Sequence, residues 1–227
     1  MSTQLIAGPM GDLEIAFDLP VGTVHALALV AHPHPLHGGT MDNKVTTTVA
    51  RSCAAQGCAV VRLNYRGVGR SAGQFDHCVG EVDDAASALA HLQALHGTGL
   101  PIVLCGFSFG TAVVAQLAQR LTSIKQTQQT SPANAHPQLL GMVLAGAAVQ
   151  RFAPVAVDVN TTLVVHGEHD ETVPLAETLA WARPLNLPVT IVPNCDHFFN
   201  RQLVPLKVLV NRHLTALMCD LHRAARS

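Results

Sequence analysis

The sequence predicts an α/β protein in which a mostly parallel sheet of about seven to eight strands carries helices on both faces. Two observations point there. Short apolar runs rich in Val, Ile and Leu alternate with longer stretches of helical spacing, and strands that read as near-continuous apolar runs are those buried on both faces by crossover helices. In addition, 48% of the 227 residues are hydrophobic, so the chain can bury roughly 70–75% of its unfolded surface without disulfides or metals. The alternation never restarts, which makes residues 1–227 one domain.

Taken in order, strands are expected at Leu13–Phe17 and His25–Ala31, then a helix at Lys44–Gln56 and a strand at Ala59–Leu63. The helix expected at Glu81–Leu95 opens with Glu81, Asp83 and Asp84, where carboxylates complement the partial positive charge of a helix start; a charged helix start is a sufficient reading of them. The strand Ile102–Cys105 leads into a helix at Phe109–Leu121. Gln126–Gln138 breaks the pattern, being rich in Gln, Thr, Ser, Pro and Asn without apolar periodicity, and reads as a mobile surface loop. Strands at Leu140–Leu144, Leu163–His166 and Val189–Val192 follow, with helices at Leu175–Ala182 and from Arg201 to about Leu221.

Composition narrows the function. The formal net charge is −1 and Lys and Arg are scattered, so the basic stripe that would neutralise phosphates is missing and nucleic acid is excluded as a partner. Runs such as Leu139–Val149 fall short of the roughly 20 apolar residues of a membrane helix, and Met1-Ser2-Thr3-Gln4 does not open a basic-then-apolar leader. The six cysteines Cys53, Cys58, Cys78, Cys105, Cys195 and Cys219 show no C-x-x-C spacing and read as reduced thiols of a cytoplasmic protein. Cys105 sits inside an apolar strand. Cys195 precedes His197 by two positions, and inert packing is its simpler reading.

The chemistry is concentrated in three segments. Gly106-Phe107-Ser108-Phe109-Gly110 matches G-x-S-x-G, a weak signal alone but a specific one where, as here, a buried-strand pattern runs into it and a helical run leaves it. Such a turn holds its serine in a strained backbone conformation at a helix N-terminus, where peptide dipoles favour developing negative charge. A serine hydroxyl needs a base within hydrogen-bond reach and a third group to orient that base. The strand Leu163–His166 runs into Gly167-Glu168-His169-Asp170, and the strand Val189–Val192 runs into Pro193-Asn194-Cys195-Asp196-His197. With parallel strands all three turns lie at one carboxyl edge. Ser108 is thus the candidate nucleophile, His197 the general base and Asp170 the orienting acid. Glu168, Glu171 and Asp196 are rival acids; Asp196 is adjacent to His197, and neighbours rarely fold back onto each other's side chains.

With these motifs the chain resembles the lidless serine hydrolases of the α/β-hydrolase superfamily, over nearly its whole length. His32-Pro33-His34-Pro35-Leu36-His37-Gly38-Gly39 is similar to the histidine-rich loop of a small bacterial branch, and Arg66-Gly67-Val68-Gly69-Arg70-Ser71 to that branch's Arg-Gly-x-Gly-x-Ser loop. The resemblance implies the α/β-hydrolase fold with the order Ser, Asp, His. It also implies an oxyanion hole from the backbone N–H of Phe109 opposite one from the histidine-rich loop. Pro33 and Pro35 have no N–H, which favours His34, with Leu36 or His37 as alternatives. Arg66 and Arg70 read as loop anchors before substrate contacts. The connection Ala148–Thr162, where this superfamily usually inserts a lid, leaves no room for a cap domain.

These residues imply acyl transfer to water through an acyl-enzyme, on small soluble carboxylic esters, with peptidase or acyltransferase action as neighbours on the same residues. The expected partner is a small ester or amide, with no cofactor, metal, nucleic acid or membrane. Three other classes compete. A metal hydrolase would use His32, His34 and His37, yet no H-E-x-x-H occurs in the sequence. A nucleotide-binding protein would use Gly67 and Gly69, but the third glycine, Gly73, comes one position late. A non-catalytic binding module on the same fold would not need the three segments together.

Overall fold

The computed structural model describes residues 3–127, 138–152 and 154–224. The chain builds one eight-stranded sheet in the order β1-β2-β4-β3-β5-β6-β7-β8. The strands are β1 (Thr3–Gly8), β2 (Gly11–Asp18), β3 (Ala26–Ala31), β4 (Cys58–Leu63), β5 (Ile102–Phe107), β6 (Leu139–Ala145), β7 (Thr162–Gly167) and β8 (Val189–Val192). The β1–β2 and β2–β4 pairs are antiparallel and all others parallel. The helices are α1 (Lys44–Ala55), α2 (Val79–His96), α3 (Phe109–Thr127), α4 (Leu175–Ala182) and α5 (Leu203–Ala224).

Two cores arise from the period-2 geometry of the strands. Leu27, Leu29, Leu104, Met142 and Leu144 pack with α2, α3 and Trp181 of α4 on one face. Their neighbours Ala28, Val30, Val103, Cys105 and Val143 pack with Val45 and Val49 of α1 and Leu206, Val210 and Leu214 of α5 on the other. Strands β3, β4 and β5 are buried at every position, which is why they stand out as unbroken apolar runs. No helix among the described residues is long and apolar enough to cross a membrane.

Register aligns the carboxyl ends. Ala31 pairs Gly106, Phe107 pairs Ala145, Ala145 pairs Val165, and Gly167 pairs Val192. The turns after β3, β5, β7 and β8 therefore emerge at the same edge of the sheet. The connection from β6 to β7 holds only a short 3₁₀ turn, Val149–Arg151, among its described residues. Helix α3 runs to Thr127, into the segment expected as a loop; residues 128–137 of that segment lie outside the described residues.

Two expectations need correction. Strand β1 is missing from the sequence reading because it is an edge strand, mostly exposed along Thr3–Gly8, and offers little apolar signal. The acidic start of α2 is more than a charged helix start. Glu81 is fully buried and accepts the N–H groups of Asp76 and Cys78, both at 2.8 Å. Asp84, also buried, accepts from the Arg66 backbone N–H at 2.9 Å and from its guanidinium at 3.0 and 2.9 Å. Only Asp83 is partly solvated, paired with Arg120.

Candidate active site

Ser108 sits between β5 and α3 with φ +54°, a left-handed conformation that a side chain tolerates only when its surroundings enforce it. They do so with hydrogen bonds. Ser108 N–H donates to the Ala145 carbonyl at 2.9 Å, and the Ser108 carbonyl accepts from Thr111 N–H at 2.9 Å and the Thr111 hydroxyl at 2.5 Å. The Thr111 oxygen in turn accepts from Ala148 N–H at 2.9 Å. Gly110 is required by space: a Cβ there would meet the Ala31 carbonyl carbon at 2.7 Å and the His32 oxygen at 2.8 Å. The loop after β3 is thus pressed onto the serine turn.

The acid and histidine turns are stitched together. Glu168 N–H donates to Val192 O at 3.0 Å and His169 N–H to Cys195 O at 2.9 Å. Asp170 is held by its own turn, its Oδ1 accepting Thr172 N–H at 3.0 Å and Val173 N–H at 2.7 Å. Its Oδ2 lies 2.6 Å from His197 Nδ1, and His197 Nε2 lies 2.9 Å from Ser108 Oγ. A carboxylate only accepts, so Nδ1 bears the ring proton and Nε2 presents a lone pair to the serine hydroxyl. All three side chains are buried. Gly146, at φ +56°, leaves the space His197 needs, since a Cβ there would sit 3.2 Å from its Cε1.

The rival acids are occupied elsewhere or point away. Asp196 accepts the Asn200 N–H at 2.9 Å and its side-chain amide at 2.5 Å; burial works against its charge, but these bonds and the Phe198 N–H hold its carboxyl below the usual range. Glu168 accepts Asn194 N–H at 2.9 Å, and Glu171 is exposed. Burial, with Asp196 and Asp170 nearby, pushes the Cys195 thiol up to about 11, so it stays protonated and unreactive.

The histidine-rich loop spreads its side chains. Wholly buried His32 lies with Nδ1 2.6 Å from Pro33 O and accepts Tyr65 N–H on Nε2 at 3.2 Å; burial takes its pKa down to about 3. His34 begins the 3₁₀ turn Pro35–His37 and accepts Leu36 N–H on its ring at 3.2 Å. Its ring packs 5.1 Å from Phe109 and 4.8 Å from Phe75, and burial, then His37 and His77, hold its pKa below the ordinary range. Among the described residues no group of three or more His, Cys, Asp or Glu is placed to hold a metal ion. Arg66 is bound to Asp84 and the Gly80 carbonyl, and Arg70 to Glu14 and Thr3, so both guanidiniums serve the fold. Two site residues were not singled out from sequence. His166 lies 3.3 Å from Asp170 Oδ2, and Thr178 lies 3.2 Å from the His166 ring; the one available signal was a histidine interrupting an apolar strand four residues before the acid.

Comparison with known proteins places this geometry. A family model described as serine aminopeptidase, S33, matches residues 34–160. A serine hydrolase without lid from Xanthomonas campestris is 32% identical over 95% of this chain and 94% of its own, with a TM-score of 0.79. The chain belongs to the α/β serine hydrolase family. A second α/β serine hydrolase homologue, from Coxiella burnetii, is 31% identical over 94% of this chain and 97% of its own, at a TM-score of 0.75. An uncharacterized protein of Rickettsia prowazekii is 30% identical over 95% of this chain and 89% of its own length.

Proposed function

We propose that this hydrolase is a cytoplasmic serine esterase that cleaves small soluble carboxylic esters through an acyl-enzyme. The observation that carries the reading is the unbroken hydrogen-bonded series Ser108 Oγ, His197, Asp170 at 2.9 and 2.6 Å. Ser108 attacks the ester carbonyl while His197 Nε2 takes its proton. Asp170 stabilises the imidazolium, which then protonates the leaving alcohol, and water repeats the sequence on the acyl-enzyme. The N–H of Phe109, first in α3, has no intrahelical acceptor. Together with His34 N–H it forms the oxyanion hole, in keeping with the contact of the two rings and the pressed loop; each such donor is worth roughly 3–4 kcal/mol. No cofactor takes part. The cytoplasmic placement rests on six free cysteines.

The walls support small substrates. A cleft of about 450 Å³ lined by Pro35, Leu36, Val68, Phe75 and His77 adjoins the site through Phe75, whose ring lies 5.7 Å from that of Phe109. It suits a short chain, and each methylene left in water forgoes about 0.8 kcal/mol. A fluorophosphonate should label Ser108, and Ser108→Ala should lower kcat roughly 10⁴-fold or more. Across p-nitrophenyl esters, kcat/KM should peak at acetate to butyrate. Labelling elsewhere, or ester hydrolysis that survives Ser108→Ala, would overturn the reading. A higher kcat/KM on aminoacyl amides than on esters would favour the peptidase named by the family description.

A further inference from the structure

We propose that His166 is a positioning residue for this reaction: its Nε2–H braces the Asp170 oxygen to which His197 is bound. The inference rests on the roles given above to Ser108, His197 and Asp170. His166 is wholly buried at the end of β7, where a ring with two polar nitrogens is costly unless both are paired. Nε2 lies 2.8 Å from the Val173 carbonyl and 3.3 Å from Asp170 Oδ2. Both are acceptors, so Nε2 carries the proton; it is donated to the Val173 carbonyl, and the positive end of the same N–H dipole faces the carboxylate oxygen at ion-pair distance. Nδ1 accepts from the Thr178 hydroxyl at 3.2 Å, whose single proton is shared with the Ala147 carbonyl at 2.9 Å. The imidazole thereby ties the acid's turn to α4 and to the segment after β6.

The two oxygens of Asp170 divide the work. Oδ1 is spent on the Thr172 and Val173 N–H groups, while Oδ2 bonds His197 and lies 3.3 Å from the His166 N–H group. When His197 accepts the serine proton, its Nδ1–H draws harder on Oδ2, and the second donor keeps that oxygen from following. It also offsets part of the charge on Oδ2. The titratable groups that face His166 are Asp170 and His197; Arg151, Glu177 and Cys195 also act on Asp170. Burial, countered by the Val173 and Asp170 contacts, holds the His166 pKa below its ordinary value, so it acts as a neutral donor.

The test compares His166→Leu, which removes the donor, with His166→Gln, whose amide nitrogen can reach the same place. His166→Leu should lower kcat on the order of tenfold to a hundredfold with KM little changed. The acid limb of its kcat/KM profile should move to higher pH, because an unshared Oδ2 favours the imidazolium. His166→Gln should recover kcat to within about fivefold and restore the limb, as an N–H at this position suffices. Ring-nitrogen NMR of the unmodified enzyme needs no variant. It should show His166 as the Nε2–H tautomer, with a resonance that shifts when Ser108 is phosphonylated. The Nδ1–H tautomer, or Leu and Gln variants alike in kcat and pH profile, would overturn the proposal. If Ser108 labels normally while His166→Leu matches the wild type, only the role of His166 falls; if Ser108 does not label, the esterase reading falls.

Discussion

Asp170→Asn exchanges one acceptor oxygen for an NH₂ group, and the surroundings decide which way the amide sits. Turning the NH₂ toward Thr172 and Val173, whose N–H groups bond Oδ1 at 3.0 and 2.7 Å, would leave two donors facing donors. Each orphaned N–H costs roughly 1–3 kcal/mol, so the amide oxygen keeps that place by about 2–6 kcal/mol. The NH₂ is then fixed against His197 Nδ1, where it can only donate. The histidine proton must shift to Nε2, which faces Ser108 Oγ at 2.9 Å and can no longer accept. Loss of the correct tautomer in a Ser-His-Asp arrangement is worth about 10⁴ in kcat, or about 5 kcal/mol of barrier. The fold should survive, since both bonds of the turn remain. The assay is kcat on p-nitrophenyl acetate beside Asp196→Asn, whose carboxylate bonds Asn200 and not His197 and which should stay within about tenfold of wild type. Asp170→Asn within tenfold of wild type, or Asp196→Asn falling as far, would refute the reasoning.

Asp84→Ala strips the buried Arg66 guanidinium of its bidentate partner; breaking such a pair costs roughly 3–5 kcal/mol, or roughly 6–20 °C in Tm for a chain of this size. A urea melt that loses less than about 1 kcal/mol would exclude that role. Burial opposes ionisation of Glu14, but bonds from Arg70 N–H, Asn64, the Arg70 side chain and Thr3 bring its pKa from 4.5 down to about 2. A depressed carboxyl contributes stability above its unfolded pKa and loses it as pH falls toward the folded value, so Glu14→Gln should cost most near pH 7 and converge with wild type toward about pH 2. A stability gap that stayed constant across that window would count against it. Gly110→Ala would drive a methyl into the Ala31 and His32 carbonyls; if that loop supplies an oxyanion donor, kcat should fall on the order of 10²-fold while fluorophosphonate still labels Ser108.

What could be read from the sequence follows burial. β3, β5 and β7 announce themselves because apolar side chains cover both faces, whereas the edge strand β1, with only Ile6 buried, looks like any polar segment. Ser108, Asp170 and His197 were legible because each closes a strand, and a parallel sheet delivers strand ends to one edge. Asp83 and Asp84 show the limit. They are adjacent and chemically identical, yet helix phase turns Asp84 to Arg66, eighteen residues earlier, and leaves Asp83 at the surface. His166 was hidden for a related reason: its two partners, Val173 and Thr178, lie beyond the turn, and only the path of the chain back to α4 brings them to the ring.

The spacing of the site is set by a strand that supplies none of its reacting groups. Ser108 and Asp170 follow β5 and β7, which flank β6 and so stand two strand spacings apart, about 9–10 Å. Serine and carboxylate at that separation cannot touch, and an imidazole with one hydrogen bond on each side fills the gap, as the 2.9 and 2.6 Å contacts of His197 do. The end of β6 then holds both neighbours in place. Ala145 O takes Ser108 N–H, Ala148 N–H bonds Thr111, Gly146 N–H bonds Val165 O, and Ala147 O takes the Thr178 hydroxyl behind His166. The backbone of Ala145–Ala148 is thus the common frame for nucleophile and acid. A left-handed glycine at 146 is what lets that frame turn away and leave the histidine its room.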